Sequence, residues 1–391
     1  MIVTLTANPS LDRTAALAGP LARGGVNRAR AVTVEPGGKG VNVARVVTLA
    51  GQPALAVLPA DPAGPLVAAL ARLGVPHLSA PTTSAARTNL TVTEPDGTTT
   101  KINEPGVPLS EAEAAVLAEL LLDAAGGGDG ASRTAVGTRT AGRGGPVAVS
   151  AGAAAAGTPG AGDGAARTVV STGTGADGAL VAVSPGTAGA GHPSGAGDGA
   201  DWVALSGSLP PGVPVDWYGA LTRRLRAAGR RVAVDTSDAP LRALAAGFPA
   251  AAPDLLKPNA EELAQLSGGD PEALEAAAAA GDLAPTVGAA RRLLDQGVGA
   301  VLATLGGAGA VLVTAAGAWA ATPPPITLRS TVGAGDSALA GYLIAAVAGR
   351  DEPARLRHAV AYGSGAAALA GTALPRPDQT DPDRVDVVRL P

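Results

Sequence analysis

The sequence predicts an α/β fold built on a mostly parallel central sheet. Three observations carry that expectation. Short apolar runs recur, each ending in a polar residue: Trp202–Ser206, Val232–Asp235, Leu255–Lys257 and Val301–Thr304. Helical patterns near Trp217–Ala228, Ala260–Leu266 and Val287–Gln296 separate them. Strands alternating with helices in this way argue a sheet covered on both faces. Ligands of such sheets bind at the carboxyl ends of the strands, where those polar residues lie.

The first third continues the alternation. Val3–Thr6 is a strand candidate. Gly40–Ala50 has helical spacing and stops at Gly51; Ala54–Pro59 is a strand; Leu66–Leu73 is a helix stopped by Gly74. One region departs from the pattern. Thr88–Thr93 and Thr98–Asn103 are rich in β-branched residues and flank Glu94-Pro95-Asp96-Gly97, a hairpin turn. A hairpin inside an α/β chain suggests a small projecting sheet, a lid or a dimer clasp.

Residues 126–199 differ from everything else. They are mostly Gly, Ala, Ser, Thr and Pro, with short apolar runs at Pro146–Ser150 and Leu180–Val183. Such a composition buries too little apolar area to offset ~1–2 kcal/mol of backbone entropy per residue. The expectation is a disordered insertion at 126–199 that divides one α/β domain of ordinary enzyme size into 1–125 and 200–391.

Composition limits the function. The chain has 391 residues and a net charge of −4, which gives no basic surface for a nucleic acid. It has no cysteine, so thiolate metal sites and a cysteine nucleophile are excluded. The three histidines, His77, His192 and His358, show no metal-ligand spacing. No apolar run reaches the ~18 residues of a membrane helix. The opening Met1–Pro9 has no basic stretch and reads as a strand rather than a signal peptide. A cytoplasmic protein with no nucleic-acid or membrane partner is expected. Lysine occurs only at 39, 101 and 257, which gives those three positions priority as anion ligands.

Four glycine-bearing or capped segments stand where chemistry is expected. Gly37-Gly38-Lys39-Gly40-Val41-Asn42 precedes a helix: glycines admit a ligand to the backbone and Lys39 brings charge to an anion. It lacks the spacing of a Walker loop, and the alternative reading is a glycine-rich turn that caps the helix. Ser330–Ser337 leads into the apolar helix Ala338–Val347, so its small residues aim N–H groups at an anion. Asp336 beside such a site suits a base that takes a proton from an attacking hydroxyl. GAGD also occurs at Gly160–Asp163 and Gly195–Asp198, but no apolar helix follows either. Asn259 and Glu262 after Lys257 form either a capping box or a pair beside a hydrated Mg²⁺. Thr304–Ala310 is a strand-end glycine loop that either admits nucleotide phosphates or only turns the chain.

Taken in order, PGGKGVNVAR (36–45), SGSLPPG (206–212), KPNAEE (257–262), TLGGAGA (304–310) and STVGAGDSALAG (330–341) resemble the PfkB, or ribokinase-like, family of carbohydrate kinases. The resemblance covers nearly all of the chain outside 126–199, and the opening TLTANPSLDRT and RTNLTVTEPDGTTTKINEPG (87–106) resemble its phosphosugar branch. It implies a three-layer α/β sandwich with a small β-sheet lid near 12–35 and 87–104. It implies ATP-dependent phosphorylation of a ketohexose phosphate, foremost fructose 1-phosphate, with tagatose 6-phosphate and fructose 6-phosphate as alternatives. A non-catalytic sugar-phosphate sensor is the alternative from another class.

The implied roles follow residue by residue. Asp336 is the base, and Gly333, Ala334 and Gly335 form the anion hole. Asp12, Gly38, Asn42 and Ser208 hold sugar hydroxyls. Lys39 and Arg87 bind substrate phosphate or bridge it to ATP, with Lys101 a weaker candidate. Lys257, Asn259, Thr304, Gly306 and Gly309 contact nucleotide. Asn259 and Glu262 attend Mg²⁺ largely through water. A monovalent cation near Ser330 and Val332 and a homodimer formed through the lid are further implications.

Overall fold

The computed structural model describes residues 1–82, 84–126 and 201–391. Its elements, in chain order, begin with β1 (Ile2–Leu5), β2 (Ser10–Leu17), β3 (Ala29–Gly37), α1 (Lys39–Leu49), β4 (Ala54–Ala60), α2 (Pro65–Arg72), β5 (His77–Pro81), β6 (Arg87–Thr93), β7 (Thr99–Asn103) and α3 (Glu111–Gly126). They continue with β8 (Trp202–Ser206), α4 (Trp217–Ala227), β9 (Arg231–Asp235), α5 (Asp238–Ala246), β10 (Leu255–Leu256), α6 (Ala260–Ser267), α7 (Pro271–Ala279), α8 (Ala284–Asp295) and β11 (Ala300–Thr304). The last are β12 (Ala310–Thr314), β13 (Gly317–Thr322), α9 (Ala334–Val347), α10 (Glu352–Ala367) and β14 (Asp386–Leu390). The segment expected to be an insertion, with its apolar runs and its two GAGD repeats, lies outside the described residues except for Gly126, the last residue of α3.

The main sheet has ten strands in the order β14-β13-β12-β11-β10-β9-β8-β1-β4-β5. From β5 to β11 every neighbour is parallel, and β12, β13 and β14 close the far edge antiparallel. The central strands are short and apolar on both faces, as strands covered by helices must be. Alternate residues divide between two cores. Val3, Leu5, Val203, Leu205, Val232 and Val234 face α3, α4, α5, α6 and α8. Ile2, Trp202, Ala204 and Ala233 face α1, α2, α9 and α10. Helix α9 buries nearly its whole circumference, which explains why its sequence is apolar all round.

The hairpin expected between residues 88 and 103 forms as β6 and β7, antiparallel with Asn89 opposite Asn103. It is half of a larger object. A four-stranded sheet runs β3-β2-β6-β7, in which β2 pairs parallel with β6 and antiparallel with β3. Residue patterning alone did not indicate β2 and β3 as strands. Six of the nine residues of β3 are exposed, so it lacks the one-sided apolar alternation that marks a half-buried strand.

Candidate active site

The site forms where the carboxyl ends of β8 and β9 meet the amino ends of α1 and α9. Helix α1 begins after Gly38, whose φ of 110° a residue with a side chain rarely adopts. A Cβ there would also crowd the Thr6 side chain. One turn of α1 then separates Lys39 from Asn42, which places both on one helix face.

These two residues reach two carboxylates. Asn42 Nδ2 donates to Asp336 Oδ2 at 2.9 Å. Lys39 Nζ donates to Asp235 Oδ1 at 2.8 Å, and Lys257 Nζ lies 3.1 Å from Asp235 Oδ2. Asp235, the last residue of β9, is 1% exposed. Two of the chain's three lysines therefore converge on one buried carboxylate. Lys257 is itself 4% exposed, whereas the Lys39 side chain keeps 35% of its surface open. Lys257 Nζ also lies beside Gly335, 3.3 Å from where a Cβ would stand.

The charges sort themselves accordingly. Burial would lift the Asp235 carboxyl, but the Lys257 and Lys39 ammoniums overcome it and hold the group below the usual carboxylate range. Burial works to lower Lys39, and the charges of Asp235 and Asp336 outweigh it and raise it above an ordinary lysine. Asp336 goes the other way. Burial, then repulsion from Asp235, raise it to about 6 against the pull of Lys39, Asn42 and Lys257. A buried carboxylate titrating near neutrality is matched to proton abstraction.

Asp336 belongs to the first turn of α9, entered through Gly333 at φ 73°. The first intrahelical bond runs from Ser337 N to Gly333 O at 2.8 Å. The N–H groups of Gly335 and Asp336 come before it and point out of the helix end, toward the cleft that holds the Asp336 carboxylate.

The remaining expected residues divide. Ser208 accepts from Asn8 Nδ2 at 3.2 Å, and Asn8 also donates to Pro105 O at 3.0 Å. Asp12 Oδ1 accepts from Ser10 Oγ at 2.7 Å. Arg87 opens β6, in register with Ser10, and its Nη1 donates to Glu104 O at 2.9 Å. A shallow pocket between the two sheets is lined by Asn8, Thr82, Ser84, Arg87 and Leu109, among others. Burial lowers Arg87, and the carboxylates of Asp12 and Glu104 resist that. Lys101 is exposed on β7 opposite Thr91 and forms no ion pair among the described residues.

At the start of α6, Asn259 and Glu262 form the full capping box, with bonds of 2.8 and 2.9 Å. Asn259 bridges to Thr304. Gly306 and Gly309 turn the chain from β11 into β12 with φ of 57° and 93°. A Cβ at Gly309 would overlap Ala321 O on β13, so the fold alone requires glycine there. Lys257, next to Pro258 whose carbonyl accepts from Thr304 N at 3.0 Å, directs its Nζ to Asp235. Ser330 Oγ donates to Gly371 O at 2.7 Å and accepts from Val332 N at 3.1 Å.

Two participants were not singled out from sequence. Asp235 ends the apolar strand β9, and Asn8 lies just beyond the apolar strand β1. The polar ending of Val232–Asp235 was the available signal, but every strand of that set ends so. Only the tertiary contact with two lysines distinguishes Asp235.

A buried carboxylate at a helix amino end, with lysines converging beside it on an α/β sheet, defines a group-transfer site for an anionic donor. The pfkB family carbohydrate kinase profile matches residues 165–378, and the chain belongs to that family. It is 30% identical over 346 residues to a 1-phosphofructokinase of Xanthomonas campestris, covering 88% of this chain and 83% of that protein. A 1-phosphofructokinase of Rhodobacter capsulatus is 38% identical over 179 residues, a match that spans only 52% of that protein. The fold superposes on Phosphofructokinase-2 from Escherichia coli, crystallised with substrates and products, with a TM-score of 0.69 and 27% identity, covering 97% and 96% of the two chains. An Arabidopsis thaliana ribokinase complexed with ribose and ATP shares the fold at a TM-score of 0.58 and 17% identity, covering 98% of this chain and 96% of that one.

Proposed function

We propose that this carbohydrate kinase transfers the γ-phosphoryl group of ATP to a ketohexose phosphate, converting fructose 1-phosphate to fructose 1,6-bisphosphate. The observation that carries the reading is Asp336: buried, raised to about 6, held by Asn42, and set at the amino end of α9.

In this reading Asp336 accepts the proton of the sugar hydroxyl as its oxygen bonds to the γ-phosphorus. The bond from phosphorus to the bridging oxygen breaks and ADP leaves. The N–H groups of Gly335 and Asp336, with Gly333 and Ala334 shaping the turn, receive the charge on the phosphoryl oxygens. Lys39, the more open of the two lysines on Asp235, reaches the transferring group, while Lys257 fixes Asp235 and backs Gly335. Asp12, Gly38, Asn42 and Ser208 surround the sugar, and Arg87 takes its phosphate. Lys101 remains a weaker candidate for that phosphate. Thr304, Gly306, Gly309 and Asn259 border the nucleotide.

The donor set fits a hydrated Mg²⁺. The Glu262 carboxyl is raised by burial and has one oxygen outside the capping box, so a cation nearby would relieve it. In this reading Asn259 and Glu262 hold the ion largely through its water shell, which Mg²⁺ gives up reluctantly. When bound, the ion supplies charge neutralisation for the phosphates. A monovalent cation near Ser330 and Val332, a homodimer through the small sheet and a cytoplasmic location belong to the same reading. So does the view that residues 126–199 are an insertion dispensable to a kinase domain made of 1–125 and 200–391.

Relatives named 1-phosphofructokinase support the 1-phosphate substrate. Likeness to Phosphofructokinase-2 keeps fructose 6-phosphate as the second reading. An ADP-release assay across fructose 1-phosphate, fructose 6-phosphate, tagatose 6-phosphate and ribose decides. The largest kcat/KM is expected for fructose 1-phosphate, and a preference for ribose would overturn the phosphosugar assignment.

A further inference from the structure

The small sheet holds a polar cluster around Asp12 in which Ser10 and Asn89 have no part in the proposed reaction. Asn89 on β6 stands opposite Asp12 on β2 in the parallel register. Its Nδ2 donates to Asp12 Oδ1 at 2.9 Å and to Ser10 Oγ at 3.0 Å. Ser10, fully buried, donates to that same carboxylate oxygen at 2.7 Å. A Cβ at Gly37 would overlap the Asp12 carboxylate, which therefore lies flat against the β3 backbone. Two donors on one oxygen and backbone behind it leave the carboxylate one orientation.

An ionised carboxylate only accepts, so the Asn89 amide must present its NH₂ to Asp12 and turn its oxygen away. That oxygen, Asn89 Oδ1, is buried and has no partner among the described residues. Asp12 Oδ2 likewise accepts no hydrogen bond from them. Two acceptors therefore stand on neighbouring strands, ~4.8 Å apart in backbone spacing. Arg87 lies two residues earlier on the same side of β6. Two unpartnered acceptors on paired residues of neighbouring strands, with Arg87 on the same side of β6, suit a ligand with adjacent hydroxyl donors and an anionic group.

We propose that Asn89 is a specificity-determining residue of the sugar site: its amide hydrogens fix Asp12, and its Oδ1 accepts from the hydroxyl adjacent to the one that Asp12 binds. This rests on the reading that Asp12 faces the sugar. A sugar lacking that second hydroxyl leaves Oδ1 buried and unpaired, and a site built to bond a hydroxyl rejects the analogue without it.

Calorimetric titration of fructose 1-phosphate without nucleotide tests the assignment, using the wild type, Asn89→Ala and, should alanine impair folding, the strand-compatible Asn89→Thr. The expected result is a Kd for fructose 1-phosphate raised about ten- to a hundredfold, as for loss of a buried polar contact. The Kd for ATP should stay within about twofold, the scale of an exposed ion pair. Monodeoxy analogues supply the sharper readout. One of them should bind the wild type poorly yet bind Asn89→Ala as well as the parent sugar does. A scaffolding role alone would weaken all the sugars together and keep that penalty. Unchanged sugar affinity in a folded variant, or deoxy penalties that persist in it, would overturn the inference and leave the kinase reading standing. A wild type that binds none of the three hexose phosphates would overturn both.

Discussion

Asn42 donates its side-chain amide to Asp336 across 294 positions of sequence, at 2.9 Å. The bond ties the start of α1 to the start of α9 and favours the charged form of the carboxylate. The pH profile should report it. The proposed base acts deprotonated, so kcat/KM should fall as pH drops through about 6. Asn42→Ala removes a contact that lowers the Asp336 pKa, and its acidic limb should move to higher pH. Asp336→Asn should lose ~10²–10⁴ of kcat while ATP affinity holds. Near-normal kcat in that variant would end the assignment as base.

The same carboxylate weighs on stability. Its pKa is raised on folding, so the native state holds the proton more tightly than the unfolded one. Its stabilising contribution is complete below the unfolded value of ~3.9 and disappears as pH rises through about 6. Asp336→Asn should therefore melt higher than the wild type at pH 7.5 and close to it at pH 4. Thermal scans at the two values check this. Equal melting temperatures at pH 7.5 would show that the charged form carries no burial cost.

Asp235 carries the opposite sign. It neutralises Lys39 and the buried Lys257, and its depressed pKa gives stability that is lost as pH falls below the ordinary carboxylate value. Asp235→Asn leaves two ammoniums uncompensated, a loss of ~3–5 kcal/mol for a broken buried pair. Pairing it with Lys257→Met removes one of those charges and should restore part of the loss. Urea unfolding of the single and double variants measures both. A double variant no more stable than Asp235→Asn would contradict the charge argument.

Arg87→Ala should act on the sugar phosphate alone. Loss of a charge-assisted contact costs ~1.5–3 kcal/mol, which appears as a raised KM for fructose 1-phosphate. Arg87 holds the Glu104 carbonyl through one guanidinium nitrogen, while its Nε is buried and unpartnered among the described residues. Varying each substrate in turn separates the effects. A shift of the ATP KM equal to that of the sugar would point to a scaffolding Arg87 instead.

Much of this was legible before any fold was known. The short apolar strands and the helices after them appear within a few residues of where their periodicity placed them, because burial on both faces leaves a local composition. The hairpin at 94–97 was legible for the same kind of reason: turn chemistry is written in adjacent residues. Asp336, Asn42, Lys39 and Lys257 were legible as motifs. Their meeting was not. That two lysines share Asp235, that Asn42 rather than another donor reaches Asp336, and that Asn89 backs Asp12 depend on register between strands and helices distant in sequence. The strands β2 and β3 also escaped residue patterning: β3 is exposed over six of its nine residues, and β2 is partly buried along most of its length with no unbroken apolar side facing a core. Sequence by itself determined the fold class and the residue types able to do the chemistry, through local burial and backbone freedom. The tertiary structure decided which charge neutralises which, because pKa and ion pairing depend on distances of a few ångströms that no spacing along the chain encodes.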